Sequence, residues 1–240
     1  EAFRTIRTNL QYLRPDSPPK VIVVTSALPN EGKTTSAMNL ALSLSQAGSK
    51  TLLIEADLLR PTISIYMEFS AKASGLTEIL ASAKSITPLL LKKNIHQYDD
   101  SKLDVLPAGV VPPNPSELLA SYRFDKLITV LRKKYKYIII DCPPLLPVTD
   151  AAIVSARVDG SILVIHAGVT KKPQFTGSRD AIQAVGSTIL GVIINMIPES
   201  HLEYEYGYRY GYPRYYGNNY RPYGAKELAE SRYAPRAADL

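Results

Sequence analysis

The sequence predicts an α/β fold: a mostly parallel, doubly wound sheet with helices on both faces, followed by a tyrosine-rich tail. Three observations carry this expectation. Apolar, β-rich runs recur at residues 21–25, 51–56, 103–106, 137–141, 161–166 and 189–195. Their near-continuous apolar character is that of strands buried on both faces. Helical patterns fall between several of them, most clearly at 34–46, 116–119, 124–133, 151–156 and 173–185. Strand alternating with helix is the pattern of a parallel sheet covered on both sides. Beyond Pro198 the composition changes abruptly, with nine Tyr in the twenty positions 204–223, interleaved with Gly, Arg, Asn and Pro. That stretch lacks aliphatic residues and periodicity, so it is expected to be disordered rather than part of a core. The organisation expected is an N-terminal helix over 1–18, a core domain over 19–198 and a flexible tail over 199–240.

Taken in order, Glu1, Arg4 and Arg7 fall one helical turn apart on one face. The run Val21-Ile22-Val23-Val24 leads into Ser26-Ala27-Leu28-Pro29-Asn30-Glu31-Gly32-Lys33-Thr34-Thr35, and a helical pattern opens directly behind it. Strand, Gly-Lys-Thr turn and helix form the context of a phosphate-binding loop. Backbone N–H groups and the helix N-terminus converge there on one anion. Lys33 would reach the β- and γ-phosphates and Thr34 would ligate Mg²⁺. The second run ends Leu52-Leu53-Ile54-Glu55-Ala56-Asp57 and continues to Arg60-Pro61. Carboxylates two apart at a strand end face the same side of a sheet. Beside a triphosphate, Glu55 and Asp57 could hold Mg²⁺ or orient an attacking hydroxyl.

Residues 84–102 are polar and Lys-rich and are expected to form a surface excursion. Pro112-Pro113-Asn114-Pro115 reads as a rigid turn with Ser116 as helix N-cap. The run Tyr137-Ile138-Ile139-Ile140-Asp141 ends in an acid that would anchor Mg²⁺ through water or Thr34. The following Cys142-Pro143-Pro144 forces the chain out of the sheet. The last run ends at Asn195, whose amide could read an adenine or simply sit in a turn.

The 240 residues, 45% of them hydrophobic, suffice for one α/β domain and an appendage. Cys142 is the single cysteine, which excludes a disulfide scaffold and a cysteine-rich metal site. His96, His166 and His201 lack metal-ligand spacing. The net charge is +6, but the basic clusters (Lys92-Lys93, Arg132-Lys133-Lys134, Lys171-Lys172) are short and scattered along the chain. They read as solvated faces, and no nucleic-acid partner is expected. No apolar run approaches the roughly 20 residues that span a bilayer. The chain opens on Glu1 rather than Met, which reads as part of a longer protein.

Together these elements resemble the bacterial tyrosine kinases of polysaccharide synthesis and export, a branch of the P-loop NTPases. The resemblance rests on Pro29 with Glu31-Gly32-Lys33-Thr34, on Asp57-x-x-Arg60-Pro61, and on Asp141-x-Pro143-Pro144. Further matches are Leu106-Pro107-Ala108-Gly109, Pro112-Pro113-Asn114-Pro115-Ser116-Glu117-Leu118-Leu119, and the N-terminal Glu1-x-x-Arg4-x-x-Arg7. The family usually carries Asp where this chain has Glu55, so the main burden is placed on Asp57. The related partition and septum-site ATPases carry a signature Lys where this chain has Leu28, which disfavours a positioning ATPase that binds DNA or membrane.

The resemblance implies an ATP-dependent autokinase with Mg²⁺ as cofactor. Lys33, Asp57, Glu55 and Asp141 would be catalytic. Pro29, Asn30, Glu31, Gly32, Lys33, Thr34, Thr35 and Asn195 would hold ATP or ADP, and Thr34, Asp57 and Asp141 the metal. The acceptors would be Tyr204, Tyr206, Tyr208, Tyr210, Tyr212, Tyr215, Tyr216, Tyr220 and Tyr223 of neighbouring subunits in a ring whose interface uses Glu1, Arg4 and Arg7. Read from composition alone, the same tail could stack on nucleic acid or glycan. A membrane activator, fused upstream or separate, a cognate tyrosine phosphatase, and a place at the cytoplasmic face of the bacterial inner membrane complete the expectation.

Overall fold

A computed structural model of the chain describes residues 1–14, 16–69, 73–99 and 101–198. The seven strands are β1 (Val21–Ser26), β2 (Thr51–Glu55), β3 (His96–Gln97), β4 (Leu103–Leu106), β5 (Tyr137–Asp141), β6 (Gly160–His166) and β7 (Ile189–Asn195). They form one sheet in the order β3-β4-β2-β5-β1-β6-β7. Every pairing is parallel except that of the short edge strand β3 with β4. Strands β1, β2 and β5 are buried along their whole length, which explains why they read as unbroken apolar runs.

Period-two alternation divides the core. Val21, Val23, Leu52, Ile54, Ile138 and Ile140 face one side. There they meet α4 (Leu76–Ala81), α6 (Pro115–Ala120), α7 (Tyr122–Arg132) and α8 (Asp150–Ser155), through residues such as Ile79, Leu119, Phe124 and Val154. Ile22, Val24, Leu53 and Ile139 face the other side, with Leu40 and Leu44 of α2 (Lys33–Gln46) and Leu10 of α1 (Ala2–Tyr12). The remaining helices are α3 (Ile63–Tyr66), α5 (Pro88–Asn94) and α9 (Lys172–Ala184). Residues Glu1–Ile197 make one compact unit. Among the described residues no helix is long and apolar enough to cross a membrane.

The structure differs from the sequence reading at two places in the fold. The excursion at 84–102 contains α5, capped by Thr87 through the amide of Leu90 at 3.2 Å, and the antiparallel strand β3. Ser116 is not the N-cap of α6. That position falls to Asn114, while the Ser116 hydroxyl donates to the buried Asp150 carboxylate. Within the N-terminal set, Glu1 pairs with Arg4 at 3.4 Å. Arg7 Nη1 donates to the Ser43 carbonyl of α2 at 2.9 Å, which ties α1 to α2.

Candidate active site

Strands β1, β2 and β5 deliver their C-terminal ends to one place, because β5 lies between the other two. Asp141 pairs in register with Glu55 on one side and Val24 on the other. The loop after β1 turns sharply through Asn30 (φ 64°) and Gly32 (φ 85°) into the N-terminus of α2. Two left-handed residues in one loop curl successive amides into a concave nest that favours an anion. Gly32 is required twice over. Its positive φ disfavours any side chain, and a Cβ would lie 2.0 Å from Asn195 Nδ2.

A cavity of about 600 Å³ opens above this loop, a size that accommodates a nucleotide. Pro29, Asn30, Gly32, Lys33, Thr34 and Thr35 form its floor, and Asp57 and Arg60 one wall. Pro143 and Pro144 also line it, held to β1 by the Thr25 hydroxyl, which donates to the Pro143 carbonyl at 2.7 Å. The apolar residues Leu59, Tyr66, Pro147 and Val148 complete the mouth. Tyr66 is 62% exposed there. Nothing in the sequence marked it, since a single helical turn at 63–66 leaves no periodic signal.

A chain of polar contacts crosses the floor. Lys33 Nζ pairs with Asp57 Oδ2 at 3.0 Å and lies 3.3 Å from Thr34 Oγ1. Thr34 Oγ1 donates to Asp141 Oδ2 at 2.7 Å. Asp57 Oδ1 accepts the Arg60 amide at 3.0 Å, which closes the turn after β2. Burial pushes the Asp141 carboxyl up to about 7, against the pull of Lys33 and Thr34. Burial lowers the Lys33 ammonium, but the charges of Asp141 and Asp57 outweigh it and leave its pKa raised. Burial also raises the Cys142 thiol, so that side chain is an inert filler behind the site. Asp141 Oδ1 is buried with no hydrogen-bond partner among the described residues. An orphaned carboxylate oxygen beside a threonine hydroxyl and a second acid is a donor set that fits Mg²⁺ and its water shell.

Three residues expected at the site lie behind it. Glu55 Oε1 accepts the Ile63 amide at 2.6 Å and also that of Thr62, and Oε2 accepts Ala108 N at 3.1 Å. Burial raises its pKa despite these three donors. Both oxygens are thus engaged away from the cavity, where they tie β2 to α3 and to the 106–109 turn. The expectation that Glu55 shares the orienting task with Asp57 is corrected accordingly. Glu31, 3% exposed, turns inward to accept the Leu28 amide at 2.8 Å and the Thr170 hydroxyl. Asn195 Nδ2 donates to the Glu31 carbonyl at 3.0 Å, so its amide pins the loop from behind rather than lining the cavity. Thr170, which the sequence reading missed, completes this brace. The expected acceptor tyrosines, Tyr204 through Tyr223, lie outside the described residues.

Comparison with known proteins fits this geometry. Residues 19–169 match the family model described as an AAA domain. The chain is 40% identical to the tyrosine-protein kinase YwqD of Bacillus subtilis over 207 residues, covering 86% of this chain and 85% of that protein. It is 38% identical to the tyrosine-protein kinase CpsD of Streptococcus agalactiae over 208 residues, covering 86% and 88%. The crystal structure of the chimerical protein CapA2B2 superposes with a TM-score of 0.76 at 36% identity, covering 82% of this chain and 84% of that one. Relatives of this identity, matched over most of the chain's length, place it in the family of bacterial tyrosine-protein kinases.

Proposed function

We propose that the chain transfers the γ-phosphoryl group of ATP to tyrosines of its own tail, on neighbouring subunits. The observation that carries this reading is the contact chain Asp57–Lys33–Thr34–Asp141, which runs from the cavity lining to the buried end of β5. Lys33 and the loop amides neutralise charge on the phosphates. Thr34, Asp57 and Asp141 are the residues that would hold Mg²⁺, which when bound offsets the charge shared by the β- and γ-phosphates. Asp57, at the cavity wall, orients the acceptor hydroxyl and takes its proton as the new P–O bond forms and the bond to the ADP oxygen breaks. A tyrosine hydroxyl ordinarily titrates near pH 10, so positioning carries more of the barrier than prior deprotonation. The apolar mouth formed by Leu59, Tyr66 and Val148 suits an incoming aromatic ring.

A chain of about 20 residues with the reach of a flexible linker spans roughly 25 Å, enough to enter an adjacent subunit. Residues 204–223 carry Arg209, Arg214 and Arg221 against Glu205. Nine phosphates would add about −14 to −18 and drive such tails apart. Assembly as a ring before phosphorylation, a membrane activator, an opposing tyrosine phosphatase, a place at the inner face of the bacterial membrane and a role in capsule or exopolysaccharide production belong to the same reading. The names of the relatives, tyrosine-protein kinases, support the phosphoryl-transfer part of this reading. Incubation with ATP and Mg²⁺ followed by phosphotyrosine mapping tests it, with Lys33→Met as control. Label on the tail of the parent alone supports the kinase. ATP hydrolysis without label would point to a positioning ATPase instead.

A further inference from the structure

Four of the six parallel strands are immediately preceded by a lysine: Lys20 before β1, Lys50 before β2, Lys102 before β4 and Lys136 before β5. In the chain they are far apart, and in the sheet order β4-β2-β5-β1 they are neighbours. Backbone bonds fix the row. Thr51 N donates to Lys102 O at 3.0 Å, Lys136 N to Lys50 O at 2.8 Å, and Ile138 N to Lys20 O at 2.8 Å. At about 4.8 Å per strand, three steps make a ledge about 14 Å long. Lys133 and Lys134, exposed in the turn before β5, add to it.

Among the described residues none of these six lysines forms an ion pair. Lys50 lies over the Tyr135 ring at 5.4 Å and Lys136 over Tyr137 at 5.9 Å, while Lys102 Nζ donates to the Gly48 carbonyl at 3.2 Å. The nearby acids are largely engaged. Asp159, which precedes β6, is clamped by Arg132 at 2.8 and 2.9 Å. Asp104 accepts the Tyr135 hydroxyl at 2.7 Å, and Asp99 is exposed in the turn after β3. A cavity of about 520 Å³ opens between Lys50 and Lys102; Asp104 also lines it, its carboxylate held by the Tyr135 hydroxyl. The ledge lies at the N-terminal ends of the strands and the nucleotide cavity at their C-terminal ends, so both can be occupied at once.

We propose that this lysine ledge docks the phosphorylated segment 204–223 of a second copy of the chain. The proposal rests on the reading that those tyrosines are the acceptors. Unmodified, the segment is cationic and the ledge repels it. Each phosphate adds about −1.5 to −2 and three acceptor oxygens. Lysine ammoniums are compact charges with three rotatable donors, so a row of them reads charge density rather than one sequence. It therefore tolerates whichever subset of the tyrosines is modified. The recess between Lys50 and Lys102 is concave, which suits a discrete phosphate on a peptide better than a flat anionic bilayer. The ledge thus separates product from substrate and holds it away from the site that made it.

The test is fluorescence anisotropy with synthetic peptides of residues 204–223, unmodified or carrying five phosphotyrosines, titrated with the full chain bearing Lys33→Met. Salt-sensitive binding of the phosphopeptide alone is expected, weakened at least about tenfold by Lys50→Glu/Lys102→Glu/Lys136→Glu. The milder Lys50→Gln/Lys102→Gln/Lys136→Gln variant should weaken it in the same direction, which guards against misfolding of the charge reversal. Lys92→Glu/Lys93→Glu should leave it unchanged. Equal affinity of the phosphopeptide for the parent and the glutamine variant would overturn the proposal. So would loss of binding to phosphatidylglycerol vesicles in that variant with the peptide unaffected, which would assign the ledge to lipid. Because the phosphates are synthetic, the ledge can fail while tail phosphorylation stands, and the reverse.

Discussion

Replacing Asp141 with Asn should make the nucleotide-free protein more stable at alkaline pH, although it removes a site residue. The carboxyl is 1% exposed and is pushed up to about 7 from an ordinary 3.8, first by burial. A carboxyl raised in the folded state contributes stability that is complete below the unfolded pKa and is lost as pH rises through the folded one. The interval of about 3 units at 1.36 kcal/mol per unit corresponds to about 4 kcal/mol lost between pH 3.8 and pH 7. At pH 5.5 about 2 kcal/mol of this is already lost, and at pH 8.5 essentially all. Asn does not titrate, and its Oδ1 still accepts the Thr34 hydroxyl. Asp141→Asn should therefore gain about 2 kcal/mol more over the parent at pH 8.5 than at pH 5.5. Equilibrium urea unfolding at the two pH values, with EDTA and without nucleotide, reads this directly. A difference between variant and parent that does not change with pH would rule out a raised Asp141 carboxyl as its source, as would a variant less stable at both.

Other substitutions separate the loop, its braces and its charges. Lys33→Met leaves Asp57 and Asp141 facing each other without a cation and should lower phosphoryl transfer by about 10²–10³, read as initial rates of tail labelling. Gly32→Ala meets both a positive φ and the Asn195 amide; it should cost about 1–3 kcal/mol and abolish ATP binding, measured by thermal shift with and without nucleotide. Glu55→Gln presents an NH₂ group to one of three backbone amides. It should destabilise the fold by about 1–3 kcal/mol yet reduce the rate far less than Asp57→Asn does, a contrast that unfolding and labelling assays together expose. Sedimentation should find the unphosphorylated chain assembled and the heavily phosphorylated chain monomeric.

The parallel sheet was legible because β1, β2 and β5 are buried on both faces and carry no polar alternation to obscure them. The loop at 26–35 was legible because glycine, lysine and threonine are each there for a separate physical reason. What the sequence concealed depends on side-chain direction. Glu55 and Asp57 are two apart, but β2 ends at Glu55. Same-face reasoning therefore stops two residues short of Asp57, and the two acids part. Glu31 and Asn195 carry polar groups that suit a nucleotide, yet each is used from behind the loop. Thr170 could not be paired with Glu31 without knowing that β6 runs beside β1. The lysine ledge was hidden for the same reason, since four isolated lysines become a row only once the strand order is known. Helices α3 and α4 are a turn or two long and are held by tertiary bonds, among them the amides of Leu76 and Thr77 donating to the Pro107 and Ala108 carbonyls. Local propensity had little to report there.

Transfer of a phosphoryl group from the cavity to a tyrosine on another subunit can be isolated by mixing two variants: the full chain with Lys33→Met, which can only accept, and an otherwise unaltered chain shortened to residues 1–198, which can only donate. With ATP and Mg²⁺, mass mapping should find phosphotyrosine at 204–223 of the Lys33→Met chain, at a rate that rises with the concentration of the shortened one. ATP consumption with no label on that tail would contradict transfer between subunits.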